Sequence, residues 1–270
     1  MNLLFLGTGP SVAIPRSKCR CAACIDARKG SKSKRSRSAA VVTVGKTTIL
    51  FDAGPDIVDQ LERARIKKVD AVFLTHAHQD AAGGLRKLDA YLLASKRRTL
   101  TPVYTDPSSD AMLLKRYPKL KNLLIVPVDP DAPIRTKDTA VTPFAVLHSQ
   151  KFGFVTRGYL VEGKGKSEGR LAYASDAILI PEDSLDQIEH VDVLALDGAM
   201  YLEKRMPTHF GADQSIAIAQ YLDAKRLILT QIGHSYPPHD KAEKEVKAWA
   251  KQSEPEIKVD LAYDGMRVRV

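Results

Sequence analysis

The sequence predicts an α+β fold in which two sheets pack face to face with helices outside. Three observations lead there: short β-rich runs recur from Leu3 onward, helical periodicities are interspersed among them, and no long linker divides the 270 residues. One domain from Met1 to Val270 is the expectation.

Leu3–Leu6, Ala40–Val44 and Thr48–Phe51 are β-rich and punctuated by glycines. Asp56–Ile66 then has helical spacing of Ile57, Leu61 and Ala64. A strand over Ala71–Thr75 runs into His76, and a helix follows from Leu85 to Ser95 with Leu85, Leu88, Leu92 and Leu93 along one side. Further strands are expected at Val103–Thr105, Leu123–Val128, Val141–Leu147, Gly158–Val161, Leu171–Ala174, Val191–Leu196 and Arg226–Thr230. Helices are expected at Gln214–Leu222 and Lys241–Lys251, and Val259–Val270 closes the chain as a strand pair.

Hydrophobic residues at 44% and charged residues at 27% suit a globular protein with a sizeable core. Aromatics at 6% are too sparse to suggest stacking platforms for single-stranded nucleic acid. Lys and Arg number 41 against 32 Asp and Glu, a net charge of +9 that attracts anionic ligands, although a merely soluble basic surface has the same balance. Met1–Gly9 has no basic leader or cleavage-site pattern and reads as a first strand instead of a signal peptide. No stretch approaches the roughly 18 apolar residues of a membrane helix, and a cytoplasmic location is expected. All three cysteines fall between positions 19 and 24, which argues against a disulfide framework. Lys29–Ser38, rich in Lys, Arg and Ser, suits either a phosphate-gripping loop or a solvated one, and the solvated reading is preferred.

The strongest chemical signal is Thr75-His76-Ala77-His78-Gln79-Asp80, directly after an apolar strand. In extended backbone alternate side chains share a face, so imidazoles two residues apart can meet one ion. Imidazole suits zinc, and a nearby carboxylate can complete the site or hold a second ion. A surface turn can also carry His-x-His, but the preceding strand and Asp80 weigh against that. His148 ends the run Val141–Leu147, and Asp176 follows Leu171–Ala174. Each alone could be a hydrogen-bonded structural residue; together, at strand ends where loops gather a site, they have ligand chemistry.

Gly7-Thr8-Gly9, Phe51-Asp52-Ala53-Gly54, His-x-His-x-Asp, Leu147-His148-Ser149, Ser175-Asp176 and Leu229-Thr230 occur in this order along nearly the whole chain. In this the sequence resembles the metallo-β-lactamase-fold hydrolases. It is most similar to the phosphoribosyl cyclic phosphodiesterases of phosphonate breakdown. Pyrroloquinoline-quinone biosynthesis B-type proteins and transfer-RNA 3′-processing nucleases are more distant relatives. The resemblance implies a four-layer αββα sandwich and a catalytic metal on His76, His78, His148 and Asp176. It also makes Cys19, Cys21 and Cys24 a structural zinc knuckle completed by His234, a closed tetrahedral site that would contribute folding energy. Three buried inert thiols are the alternative.

By the same resemblance His209 is the general acid, and its ordinary pKa near 6.5 suits proton donation near neutrality. A histidine that orders the start of the following helix is the other reading. Asp80 could orient the attacking water, while Asp52 and Asp197 suit supporting, loop-fixing roles. Two departures stand out. Ala81 and Gln231 occupy positions where the family has imidazoles, both belonging to its second metal site. One catalytic divalent metal, zinc or manganese, is therefore expected beside the structural zinc. The expected function is metal-dependent hydrolysis of a small phosphodiester, cyclic ones included, or a nucleotide. A nuclease, favoured by the net charge and Lys29–Ser38, and a degenerate ligand-binding member, which would explain Ala81 and Gln231, are the alternatives. A small phosphorylated substrate is the expected partner, with nucleic acid less favoured, no membrane, and homodimerisation left open.

Overall fold

Strands that are apolar at successive positions need cover on both faces, and Leu3-Leu4-Phe5-Leu6 is such a run. The computed structural model, which describes residues 1–93, 99–130, 132–148, 155–165, 169–252 and 257–270, supplies that cover. Leu3 and Phe5 point into a layer shared with the other sheet, while Leu4 and Leu6 pack under helices.

The first sheet contains β1 (Asn2–Gly7), β2 (Ala39–Val44), β3 (Thr47–Phe51), β4 (Ala71–Phe73), β5 (Thr101–Thr105) and β6 (Leu123–Pro127). The second contains β7 (Ile134–Arg135), β8 (Thr139–Val146), β9 (Thr156–Gly163), β10 (Arg170–Ala174), β11 (Val193–Asp197), β12 (Arg226–Thr230) and β13 (Lys258–Leu261). The last strand, β14 (Arg267–Arg269), returns to the first sheet beside β1, giving the orders β14-β1-β2-β3-β4-β5-β6 and β13-β12-β11-β10-β9-β8-β7 among the described residues. Each sheet is antiparallel up to one strand and parallel beyond it. The change falls at β3 in the first sheet and at β10 in the second.

Between the sheets lie Phe51, Phe73, Tyr159 and Tyr173, with the Phe51 and Tyr173 rings 4.9 Å apart across the interface. Each such side chain contributes about 1.5–3 kcal/mol by leaving water. Outside the first sheet, α2 (Ile57–Ala64) and α4 (Leu85–Leu93) bury Ile57, Leu61, Leu85, Leu88 and Leu92. Outside the second, α7 (Ala212–Tyr221) and α8 (His239–Ala250) bury Ile216, Ala219, Ala242 and Val246. These are the four layers of an αββα sandwich. The shorter helices α1 (Ala22–Arg28), α3 (Gln79–Ala82) and α6 (Glu182–Gln187), with α5 (Pro107–Arg116), occupy connections. Among the described residues no helix is long and apolar enough to cross a membrane.

Three expectations change. The closing strand pair does not exist as a pair: β13 edges the second sheet and β14 the first, because the intervening turn carries the chain across the sandwich. Lys29–Ser38 is not simply a solvated loop, since Ser33, Arg35 and Ser38 are buried and hydrogen-bonded while Lys32 and Lys34 face out. The strand after Val69 ends at Phe73, short of Thr75, whose backbone N–H is diverted to the Asp52 carboxylate. The expected helix end at Ser95, and Ser149, lie outside the described residues.

Candidate active site

Open parallel sheets place binding sites beyond the carboxyl ends of their strands, where the topology switches. Here both sheets contribute. Asp52 follows β3, His76 and His78 follow β4, and His148 follows β8. Asp176 follows β10, Asp197 ends β11, and Gln231 follows β12.

Past β4, the buried Asp52 carboxylate accepts from the Thr75 backbone N–H at 2.8 Å and lies 3.0 Å from the Thr75 hydroxyl. That hydroxyl is also 2.9 Å from His76 Nδ1. With the single hydroxyl proton on Asp52, His76 donates from Nδ1 and keeps its lone pair on Nε2. Burial lowers the His76 and His78 pKa values to about 4, so both rings are neutral, as ligation requires. The loop is held from outside by α5: Arg116 donates to the Ala77 carbonyl at 2.9 Å, and Tyr117 donates to that of Ala82 at 2.8 Å. From below it rests on Gly54, where a Cβ would come within 2.0 Å of the Asp80 carbonyl oxygen. The Phe-Asp-Ala-Gly motif therefore serves close backbone approach.

His148 Nδ1 lies 2.7 Å from the Thr208 carbonyl oxygen. A carbonyl can only accept, so this nitrogen carries the proton and Nε2 is again the ligand atom. The rings of His76, His78 and His148 lie 4.6–5.8 Å apart, centroid to centroid. Their candidate ligand atoms fall within 4.8 Å of one another. Asp176 Oδ1 is 4.0 Å from His148 Nε2, and Asp80 Oδ1 is 4.0 Å from His76 Nε2. Burial alone would raise Asp176, but the imidazoles of His76, His148 and His209 outweigh it and hold the carboxyl near 2. The Nε2 atoms of His76 and His148, the His78 ring and the Asp176 carboxylate are a donor set that fits a divalent cation.

His209 stands beside this set, its ring 4.7 Å from that of His148. Its Nδ1 is 2.6 Å from Asp197 Oδ2. Burial disfavours a charged ring, but the charge and hydrogen bond of Asp197 outweigh it and raise His209 to about 9. Asp197 is fully buried and also accepts from the backbone N–H groups of Ala177 and Ala199, so it ties the connection after β10 and both ends of the connection after β11 to one carboxylate.

Beside the imidazoles, a cavity of about 10 Å³ is lined by Ser38, Asp52, His76, Asp80, Ala81, Asp176 and Gln231. Gln231, 2% exposed, spans it: its amide nitrogen donates to Asp176 Oδ1 at 2.5 Å, and its amide oxygen accepts from the Ser38 hydroxyl at 2.5 Å.

The cysteines form a second cluster, closed in space by His234. Cys19 Sγ and Cys21 Sγ each lie 3.5 Å from His234 Nδ1. Cys24 completes a group whose ligand atoms lie within 4.8 Å of one another. Zinc–sulfur and zinc–nitrogen bonds of 2.3 and about 2.0–2.1 Å at a tetrahedral angle would set S···N at about 3.6 Å, so these residues fit that ion without rearrangement. The Cys19 thiol is lowered by the backbone and side chain of Cys21, while burial pushes Cys24 up to about 11.

A two-sheet sandwich with imidazoles and carboxylates gathered at its strand ends is the architecture of a metallohydrolase. The family model of the β-lactamase superfamily domain matches residues 47–232, and the chain belongs to that family. A solved diphosphatase of the PhnP family is similar over 100% of this chain and 97% of its own, at 26% identity and a TM-score of 0.83. Coenzyme PQQ synthesis protein B from a Methylobacterium species is 29% identical over 76% of this chain and 75% of its own length. An octanoyltransferase from Porphyromonas gingivalis is 26% identical over 88% of this chain, which spans only 47% of that protein's length. The resemblance to the phosphodiesterase and quinone-biosynthesis branches is thereby borne out.

The structure brings together His76, His78, Asp80, His148, Asp176 and His209 in one cluster, and Cys19, Cys21, Cys24 and His234 in another. Sequence reasoning missed Thr208, whose carbonyl sets the His148 tautomer, along with Arg116 and Ser38. A carbonyl leaves no side-chain signal. Ser38 was hidden because its neighbours are charged.

Proposed function

We propose that the chain is a phosphodiesterase acting on a small phosphorylated substrate, cyclic phosphodiesters included, at the histidine–aspartate cluster. His76, His78, His148 and Asp176 would hold one divalent metal, zinc or manganese. Bound there, the cation supplies Lewis acidity toward a phosphoryl oxygen and an attacking water. The protein's own groups do the rest. Asp80, in the first turn of α3, accepts a hydrogen bond from the water and turns its lone pair toward phosphorus. His209 holds a proton on Nε2 while Asp197 fixes Nδ1, and gives that proton to the departing oxygen. Cys19, Cys21, Cys24 and His234 would hold a structural zinc, and the three reduced thiols support a cytoplasmic setting.

The observation that carries this reading is the His209–Asp197 pair beside the imidazole cluster. A ligand-binding protein has no need of a buried carboxylate that keeps a fourth imidazole protonated next to the donor set. General-acid catalysis contributes about 10²–10⁴-fold. His209→Ala should therefore slow hydrolysis of an alkyl phosphodiester by that order. A p-nitrophenyl diester, whose leaving group needs no proton, should lose far less. Equal losses on both substrates would remove the acid role, and no turnover of either by the metal-loaded protein would refute the phosphodiesterase reading. Salt-sensitive RNA cleavage would favour a nuclease instead.

A further inference from the structure

We propose that Gln231 takes the place of a second cation, so that the histidine–aspartate cluster binds a single ion and the adjoining cavity holds a water molecule. The proposal deepens the metallohydrolase reading and rests on it.

The argument starts from valence. His76 has one ligand lone pair, on Nε2, because Nδ1 is committed to Thr75. That lone pair can join the ion shared with His78 and His148, or an ion beside Asp80 and Asp176, but not both. With His76 engaged in the first, the second position retains only the carboxylates of Asp80 and Asp176 and whatever Gln231 offers. Ala81 lines the cavity and has no donor atom.

Gln231 offers the wrong end. Its NH₂ group is directed at Asp176 Oδ1 and its carbonyl oxygen at the Ser38 hydroxyl. The opposite amide orientation would set two oxygens against each other at 2.5 Å with no proton between them, so the hydrogen-bond network itself assigns the flip. An amide hydrogen thus sits where a cation would have to approach Asp176, and it supplies part of the positive charge that the carboxylate needs. The backbone supports this as a built feature. Gln231 lies in the left-handed region at φ 62°, and its side chain is closed off by Ser38 from a distant segment. The remaining space, about 10 Å³, is at the threshold for one water of roughly 10–15 Å³, and its lining provides that water with polar partners on several sides.

The test uses the whole chain loaded with Mn²⁺, which prefers oxygen and nitrogen donors and leaves the cysteines aside. Metal analysis and electron paramagnetic resonance should find one manganese per chain with the spectrum of an isolated ion. Two ions with exchange-coupled lines would overturn the proposal. No bound manganese and no bound zinc at the histidines would instead sink the metallohydrolase reading beneath it, so the two failures are distinguishable. Ala81→His with Gln231→His should raise the count to two and couple the spectrum. Gln231→Leu, which keeps the bulk and removes both hydrogen bonds, controls for folding and should stay at one ion.

Discussion

The two clusters of candidate ligands differ in closure more than in composition. Around His234 the sulfur–nitrogen separations are 3.5 Å, already those of a filled tetrahedron, and three thiols with one imidazole leave no position for water. Around His148 the nearest carboxylate oxygen stands 4.0 Å away, wider than the roughly 3.4 Å edge of a tetrahedral zinc site. Proton-carrying groups adjoin this second cluster, namely His209 with its Asp197 and Asp80. On the proposed reading, the difference separates stability from reactivity in this molecule. One cluster joins the chain's early loop to the segment after β12, while the other keeps room for a reacting molecule.

If that separation holds, the largest effect comes from removing a ligand of the open cluster. His148→Ala should lower the proposed phosphodiesterase activity by on the order of 10³-fold or more, because the activation that a metal held there would give water, from a pKa of 15.7 to about 7, would be lost. The melting temperature should move by only a few degrees, and the cysteine-bound zinc should stay. A protein that loses both metals together would break the comparison.

Cys21→Ser should do the reverse. About one equivalent of zinc should be released, and a loss of about 3 kcal/mol would lower Tm by roughly 6–12 °C at this chain length. Activity per folded molecule should remain. Calorimetry with metal analysis checks this, and unchanged zinc content and Tm would dismiss the knuckle.

Asp197→Asn sharpens the reactive side. The native carboxylate accepts from His209 and Ala177 at one oxygen and from Ala199 at the other. An amide has a single acceptor oxygen, so one of those donors must face an NH₂ group. A loss of about 10–100-fold in kcat is expected, concentrated on substrates with poor leaving groups. A change in KM alone would show that Asp197 only shapes the loop.

How much of this was legible beforehand follows from what each residue leaves in the sequence. His76 and His148 directly follow β-rich runs, with His78 and Asp176 close behind theirs, so the strand ends announced them. The cysteines were legible by spacing, but His234 only through resemblance, since a lone histidine 210 residues beyond Cys24 carries no local signal. Two facing sheets with helices outside could be read from the many short β-rich runs with helical periodicities among them. That β13 and β14 part to different sheets could not, because two short strands joined by a turn look like a hairpin whichever edges they reach. Ser33 and Arg35 turn inward two residues apart and Ser38 three residues further on, and their partners inside are polar, so no hydrophobic pattern marks them.

Helix α5 was also missed, and it motivates the smallest expected effect. Its start is well signalled, with Asp106 accepting from Ser108 N and Pro107 in the first turn, but only Ser109 and Leu113 are buried. Its amphipathic pattern is therefore faint. Its last residue nevertheless reaches the Ala77 carbonyl, between the two imidazoles of the His-x-His loop. Arg116 touches no candidate ligand atom directly; it fixes the backbone that aims His76 and His78, which makes it a positioning residue. Arg116→Ala should weaken metal binding at the open cluster by about tenfold, the lower end of what supporting residues of metal sites contribute. Tm and the cysteine-bound zinc should barely change, since the side chain is half-buried on the outside of the sandwich. Arg116→Lys keeps one charged donor and should recover part of the affinity. Manganese titration followed by magnetic resonance reads the difference between the three proteins. Equal affinities in all three would mean that Tyr117, Gly54 and the Asp52–Thr75 contact hold the loop without Arg116, and that the open cluster is as rigidly built as the closed one.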